Sequence, residues 1–241
     1  MKTNLLLLFS AIIAVSCQSN SMDNMVYVKG GWSLCGTAST DADPDENHVR
    51  TVYVGDFYIS RYEVTQKEWK DIMGYNPSIF RGDKRPVECV SWDMAQLFIK
   101  KLNKRTGRHF RLPTQEEWEY AARSGANQDT TLFSGGNDLQ SVGWFCNNSD
   151  DSTHNVGSLL PNSIGLYDMT GNVHEWCDGL YDAEHYSQDT NMNKDISYWN
   201  IRVFKGGSWA SDERHCRISN INYNSRDMKN YSLGLRLAED R

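Results

Sequence analysis

Two stretches near the start of the chain set out the pattern of apolar and polar positions. MVYVKGGWSLCGT (25–37) alternates and carries glycines, which predicts a strand, a turn and a second short strand. VRTVYVGDFYISRYEVT (49–65) repeats the pattern, with Val49, Val52, Val54, Phe57, Tyr58 and Ile59 around a turn at Gly55-Asp56. Three helices follow. Thr65 precedes QKEWKDIM with Glu68 three residues on, a capping box in which each side chain satisfies an orphan backbone N–H, and Gly74 is the stop. Ser91 precedes WDMAQLFIKKLNKRT, whose Met94, Leu97, Phe98 and Leu102 share one face, and Gly107 ends it. Thr114 precedes QEEWEYAARS, with Glu117 completing a second capping box and Gly125 as the expected stop.

Beyond Gly125 no helical period longer than two turns appears. Gly, Asn, Asp and Ser are scattered between Trp144, Trp176, Trp199 and Trp209. Disordered segments are poor in aromatics, so this half reads as ordered but irregular, built of loops and short strands around buried indoles. There is no repeat and no low-complexity tract.

The first residues stand apart. Leu5 to Val15 form an apolar run broken only by Ser10, with Lys2 before it. That run is too short for a permanent membrane span and fits the h-region of a secretory signal. Ala14 and Ser16 flank Val15 just before Cys17, the pattern of a lipobox. The expected organisation is a signal peptide over 1–16, a lipidated Cys17 with a polar tether over 17–24, and one folded domain over 25–241. The expected location is that of an exported lipoprotein in the outer membrane of a Gram-negative bacterium.

Charge narrows the partners. Without Lys2 the chain holds 24 basic and 31 acidic residues, a net charge of −7, with no basic block. It lacks the electrostatic footprint of a nucleic-acid binder. Attachment to a membrane falls to the lipid on Cys17 rather than to charge.

Cys35, Cys89, Cys146, Cys177 and Cys216 remain, an odd number, and no CxxC pair exists. That excludes a zinc ribbon or a thioredoxin-like motif. No HxxxH, HExxH, GxSxG or phosphate loop occurs. DADPDENHV (41–49) fails the EF-hand pattern, with Glu46 where Gly is wanted, and reads as a solvated acidic loop. LYDMTGNVHEW (166–176) is the densest candidate. Asp168 and Glu175 offer carboxylates, and Gly171 and Val173 offer carbonyls, the hard oxygens that Ca²⁺ takes. Spacing alone favours a turn at 170–172 with two solvated acids. GGSW (206–209) either brings backbone N–H groups to a ligand or turns the chain into a buried Trp209.

MVYVKGGWSLCGT, FYISRYEVTQKEW, PVECVSW, RLPTQEEWEYAAR, LYDMTGNVHEW, GGSW and the terminal LGLRLA occur in this order over 25–238. Together they resemble the formylglycine-generating enzyme and sulfatase-modifying-factor family. The resemblance implies an α+β fold, a single compact domain with a C-type-lectin-like core and little regular structure. It also implies calcium on Asp168, Gly171, Val173 and Glu175. The family's oxidase holds Cu⁺ with two cysteines shortly after GGS. Counted from Gly206-Gly207-Ser208, the first of these positions is Ser211 and the second Cys216. Two thiolates suit Cu⁺; one thiol and a hydroxyl do not. Ser208 matches a family active-site position, His174 replaces a tryptophan, and Leu235 replaces a phenylalanine.

Two functions follow as expectations. The first is a lipid-anchored, non-catalytic binding or assembly module for an envelope protein or glycan. The alternative is a copper-dependent oxidase that converts a sulfatase cysteine to formylglycine, with Ser208 and Cys216 catalytic. The resemblance further suggests a Cys177–Cys216 disulfide, whose loop of roughly 40 residues would contribute about 3–4 kcal/mol.

Overall fold

Strand pairing starts with two long, bent strands. The computed structural model describes residues 24–40, 42–43, 46–47, 49–181 and 200–241. Residues 1–16, Cys17 and the tether up to residue 23 lie outside these. β1 (Met25–Val28) and β2 (Gly31–Cys35) pair antiparallel with β4 (Phe57–Ser60) and β3 (Arg50–Val54), respectively. Lys29-Gly30 and Gly55-Asp56 are therefore bends where one sheet gives way to the next. A Cβ on Gly30 would lie 2.5 Å from the Val54 carbonyl oxygen, so the two bends meet only because position 30 has no side chain.

All three predicted helices form. α1 (Gln66–Met73) is closed by the Thr65–Glu68 capping box and a left-handed Gly74. α2 (Trp92–Thr106) is capped by Ser91 and stopped by Gly107. α3 (Gln115–Ala122) has the Thr114–Glu117 capping box but ends before the expected Gly125. Side chains of the irregular half take its last carbonyls: Asn162 Nδ2 donates to Ala121 O at 2.9 Å and Ser134 Oγ donates to Ala122 O at 2.8 Å. A one-turn α4 (Leu139–Val142) is the α-helix of the second half among the described residues.

The chain end links the two larger sheets. One has the order β1-β4-β10-β5, with β5 (Phe110–Arg111) and β10 (Ala238–Asp240). The other has the order β8-β7-β6-β9, with β6 (His174–Leu180), β7 (Ile201–Lys205), β8 (Asn222–Ser225) and β9 (Leu233–Gly234). β9 lies parallel to β6, and four residues later β10 joins β4. LGLRLA thus threads from one sheet to the other. The result is an α+β fold with many loops.

Three apolar clusters fill the interior. One packs Val54, Phe57, Ile59 and Leu166 around Trp118, and Cys177 belongs to it. A second joins α1 and α2 through Trp69 stacked on Phe98, ring centroids 5.0 Å apart, and takes in Trp176. The third gathers Phe133, Leu139, Val142, Phe145 and Cys216. The suggested Cys177–Cys216 link is not made. Both thiols are free and fully buried, and they fill space in different clusters.

The acidic stretch 41–49 also departs from expectation. Glu46 is fully buried rather than solvated. Its carboxylate accepts from Arg217 Nη2 at 2.8 Å and Ser219 Oγ at 2.6 Å. Asp43 pairs with Arg214. Pattern reading had no means of seeing these partners, some 170 residues away in the chain.

Candidate functional site

LYDMTGNVHEW forms the junction of the molecule, not an exposed loop. The backbone passes through left-handed conformations at Asp168 (φ 55°), Gly171 (φ 79°) and Asn172 (φ 59°). A Cβ at Gly171 would overlap the Trp144 carbonyl, so only glycine fits there. Gly171 N–H donates to Gly206 O at 2.7 Å, and Asn172 N–H donates to Trp144 O at 2.8 Å. Trp209 N–H in turn donates to Asn172 O at 2.8 Å. The 166–176 and 206–209 segments are therefore stitched together.

Three buried carboxylates surround this junction. Glu175 accepts from Arg236 Nη2 at 2.7 Å and from Trp118 Nε1 at 2.6 Å. Arg236 is fully buried and also donates to Ser60 O at 2.9 Å and Tyr167 O at 2.7 Å. Glu63 accepts from Asn172 Nδ2 at 2.7 Å and Val173 N–H at 3.1 Å. Burial, then the nearby Asp168 and Glu175, hold the Glu63 carboxyl well above its ordinary range. Asp168 Oδ2 accepts from Gly157 N–H at 2.6 Å, whereas its Oδ1 is buried with no partner. Burial raises the Asp168 carboxyl to about 6, with Gly157 and Arg236 pulling the other way.

These residues fit a calcium ion unevenly. Three buried carboxylates face one guanidinium, an excess of negative charge, and Asp168 Oδ1 is an unsatisfied hard oxygen. Glu175 fits less well, since Arg236 and Trp118 occupy both of its oxygens. Among the described residues no three His, Cys, Asp or Glu side chains gather as a ready-made metal cluster. No motif in the sequence marks Glu63 or Arg236. A charged residue inside the apolar LGLRLA was the one available signal.

GGSW turns the chain into a buried Trp209, with Gly206 (φ 96°) and Gly207 (φ 72°) both left-handed. Ser208 N–H donates to Ser211 Oγ at 3.0 Å, and the two hydroxyls are 3.1 Å apart. Ser211 Oγ lies 3.5 Å from His174 Nε2, at the edge of hydrogen-bonding range. Cys146 N–H holds Ser211 O at 3.0 Å. Cys216 sits behind Gly207, where an added Cβ would be 2.7 Å from its Sγ. Burial raises the Cys216 thiol to about 12, so at neutral pH it is protonated and inert. Outside it, Leu132, Phe133, Glu213, Arg214 and Arg217 line a surface cavity of about 380 Å³.

This arrangement suits neither copper nor nucleophilic chemistry. One buried thiol and a hydroxyl already engaged with Ser208 do not make a two-thiolate Cu⁺ site. His174 is a poor base as well. Burial first, then His215, lowers its pKa to about 3.

The fold and this junction define a sulfatase-modifying-factor type of domain. The family model for the sulfatase-modifying factor enzyme 1-like domain matches residues 12–241, and the chain belongs to that family. "Chaperone protein LppX" of Paenibacillus barcinonensis is 32% identical over 88% of this chain and 90% of its own length. The formylglycine-generating enzyme of Mus musculus is 32% identical over 71% of this chain, which spans about half (49%) of that enzyme. Among solved structures, Treponema denticola variable protein 1 superposes with a TM-score of 0.78 at 28% identity, over 90% of this chain and 95% of that one. PvdO from Pseudomonas aeruginosa gives 0.74 at 24% identity, over 90% and 94%, a likeness of fold.

Proposed function

We propose that this chain is a lipid-anchored envelope protein whose formylglycine-generating-enzyme-like domain is a non-catalytic binding or assembly module for an envelope protein or glycan. One observation carries the reading. The first copper-ligand position is Ser211, and its hydroxyl is spent on Ser208 and on the edge of His174. A relative that matches nearly end to end is called a chaperone, which supports a role in binding rather than oxidation. The anchor is the lipid on Cys17, and the location is the outer membrane of a Gram-negative bacterium. Calcium belongs to the same reading. Asp168 with the carbonyls of Gly171 and Val173 would hold it, with Glu175 the least free ligand, and the ion would neutralise the buried carboxylates.

The deciding experiment incubates the purified chain with Cu⁺, O₂ and a CxPxR sulfatase peptide and looks for the aldehyde by mass spectrometry. The expected result is no aldehyde above a no-protein control. Formylglycine in the peptide, lost in Cys216→Ala, overturns the proposal in favour of the oxidase.

A further inference from the structure

The β2–β3 hairpin has one buried face and one exposed apolar face. Inward, Ser33, Cys35 and Val54 are buried on the side that packs against α3. Outward, Trp32, Tyr53 and Leu34 are 68%, 63% and 56% exposed. Trp32 and Tyr53 are cross-strand partners with ring centroids 5.4 Å apart at 68°. Leu34 lies two residues further along the same face. The sheet has two strands, and among the described residues nothing covers its outer side. Ile79 and Leu160 are comparably exposed, but each lies in a loop.

The start of the domain brings a membrane within reach of this face. Arg61 N–H fixes the Asn24 carbonyl at 2.9 Å, so the place where the tether meets the fold is defined. Residues 18–24 reach at most about 25 Å when fully extended. Trp32 lies eight residues beyond Asn24, at most about 28 Å away. A lipid on Cys17 would therefore keep Trp32 within about 50 Å of the bilayer, the two spans laid end to end. Tryptophan and tyrosine favour the boundary between headgroups and acyl chains. The acidic chain is repelled by anionic lipid, so the contact depends on the apolar and aromatic side chains alone.

We propose that the outer face of the β2–β3 hairpin, led by Trp32, Leu34 and Tyr53, rests in the interface of the membrane that carries the chain. This rests on the lipid-anchor reading above. It orients the molecule, with the hairpin down and the rest of the surface free for a partner.

The test uses the full, lipidated chain reconstituted into phosphatidylethanolamine–phosphatidylglycerol vesicles whose acyl chains are brominated. Bromine quenches tryptophan at the interface. Quenching is expected in the parent, to fall by at least half in Trp32→Phe, and to persist in high salt. Equal thermal melting of parent and variant verifies the fold. A lipidated, vesicle-bound chain with no quenching, or with quenching unchanged in Trp32→Phe, overturns the hairpin contact and leaves the anchor standing. A chain with no lipid at Cys17 by mass spectrometry overturns both.

Discussion

Ser211 Oγ stands 3.1 Å from Ser208 Oγ, and the Ser208 N–H donates to that same Ser211 oxygen at 3.0 Å. Two hydroxyls and an amide thus close on one another where the family's oxidase presents a thiol. Ser211→Cys puts a sulfur at the first of the two positions that hold Cu⁺ in the family's oxidase. The variant is expected to bind Cu⁺ at least roughly tenfold more tightly than the parent in a competition titration against a chromogenic chelator. Equal affinities would mean that residue 211 does not face a metal seat.

Arg236 and Glu175 form a fully buried ion pair with exposures of 0% and 1%. Removing one partner strands the other charge in the core. Arg236→Met is expected to cost about 3–5 kcal/mol, with Glu175→Gln in the same direction. The double variant should cost less than the two single losses together. Urea denaturation at neutral pH measures all three.

Gly171 offers a sharper contrast. Its φ of 79° and its overlap with the Trp144 carbonyl leave no room for a methyl group. Gly171→Ala is expected to yield insoluble protein or a loss above about 3 kcal/mol. Gly55→Ala, where nothing lies within 4 Å of the added carbon, should shift the urea midpoint little. Similar effects at both positions would contradict the junction described here.

The same residues show how much the sequence reveals. Capping is local, so Thr65–Glu68, Ser91 and Thr114–Glu117 mark their helices within a few residues. Motif order was enough to bring out the family. Long-range partners are not local. Glu46 looked solvated because Arg217 and Ser219 are far along the chain. The burial of Asp168 and Glu175 is not legible in the sequence, since neither Glu63 nor Arg236 lies near them in the chain. Lys29-Gly30 and Gly55-Asp56 looked like ordinary turns because pairing partners cannot be read from alternation.

Calcium is expected to raise the melting temperature and EGTA to reverse the rise, because a ligand bound only by the folded state stabilises it by mass action. Asp168→Asn removes the carboxylate whose Oδ1 lacks a partner. It should abolish the calcium response and leave the calcium-free melting temperature equal or higher, since one buried charge has gone. A calcium response that survives in Asp168→Asn would move the ion elsewhere.

The buried thiols make the fold sensitive to alkali. Burial raises Cys35 and Cys216 to about 12 and Cys177 well above its ordinary value. A thiol in the unfolded chain releases its proton near pH 8.5, whereas Cys35 and Cys216 hold theirs to about pH 12. Between those values the folded state binds more protons, so stability is level below about pH 8 and falls as pH rises. Cys35 and Cys216 each contribute about 1–2 kcal/mol of loss at pH 10. Cys216→Ala lowers stability at neutral pH by opening a cavity, yet it should flatten the decline between pH 8.5 and 10.5 in urea titrations. Iodoacetamide adds a second readout. In the native protein at pH 8 the exposed Cys146 should be alkylated, while Cys35, Cys177 and Cys216 are spared. In urea without reductant all of Cys35, Cys89, Cys146, Cys177 and Cys216 should react. A Cys177–Cys216 peptide pair that resists alkylation until reduced would restore the disulfide and remove two of these thiols from the alkaline transition.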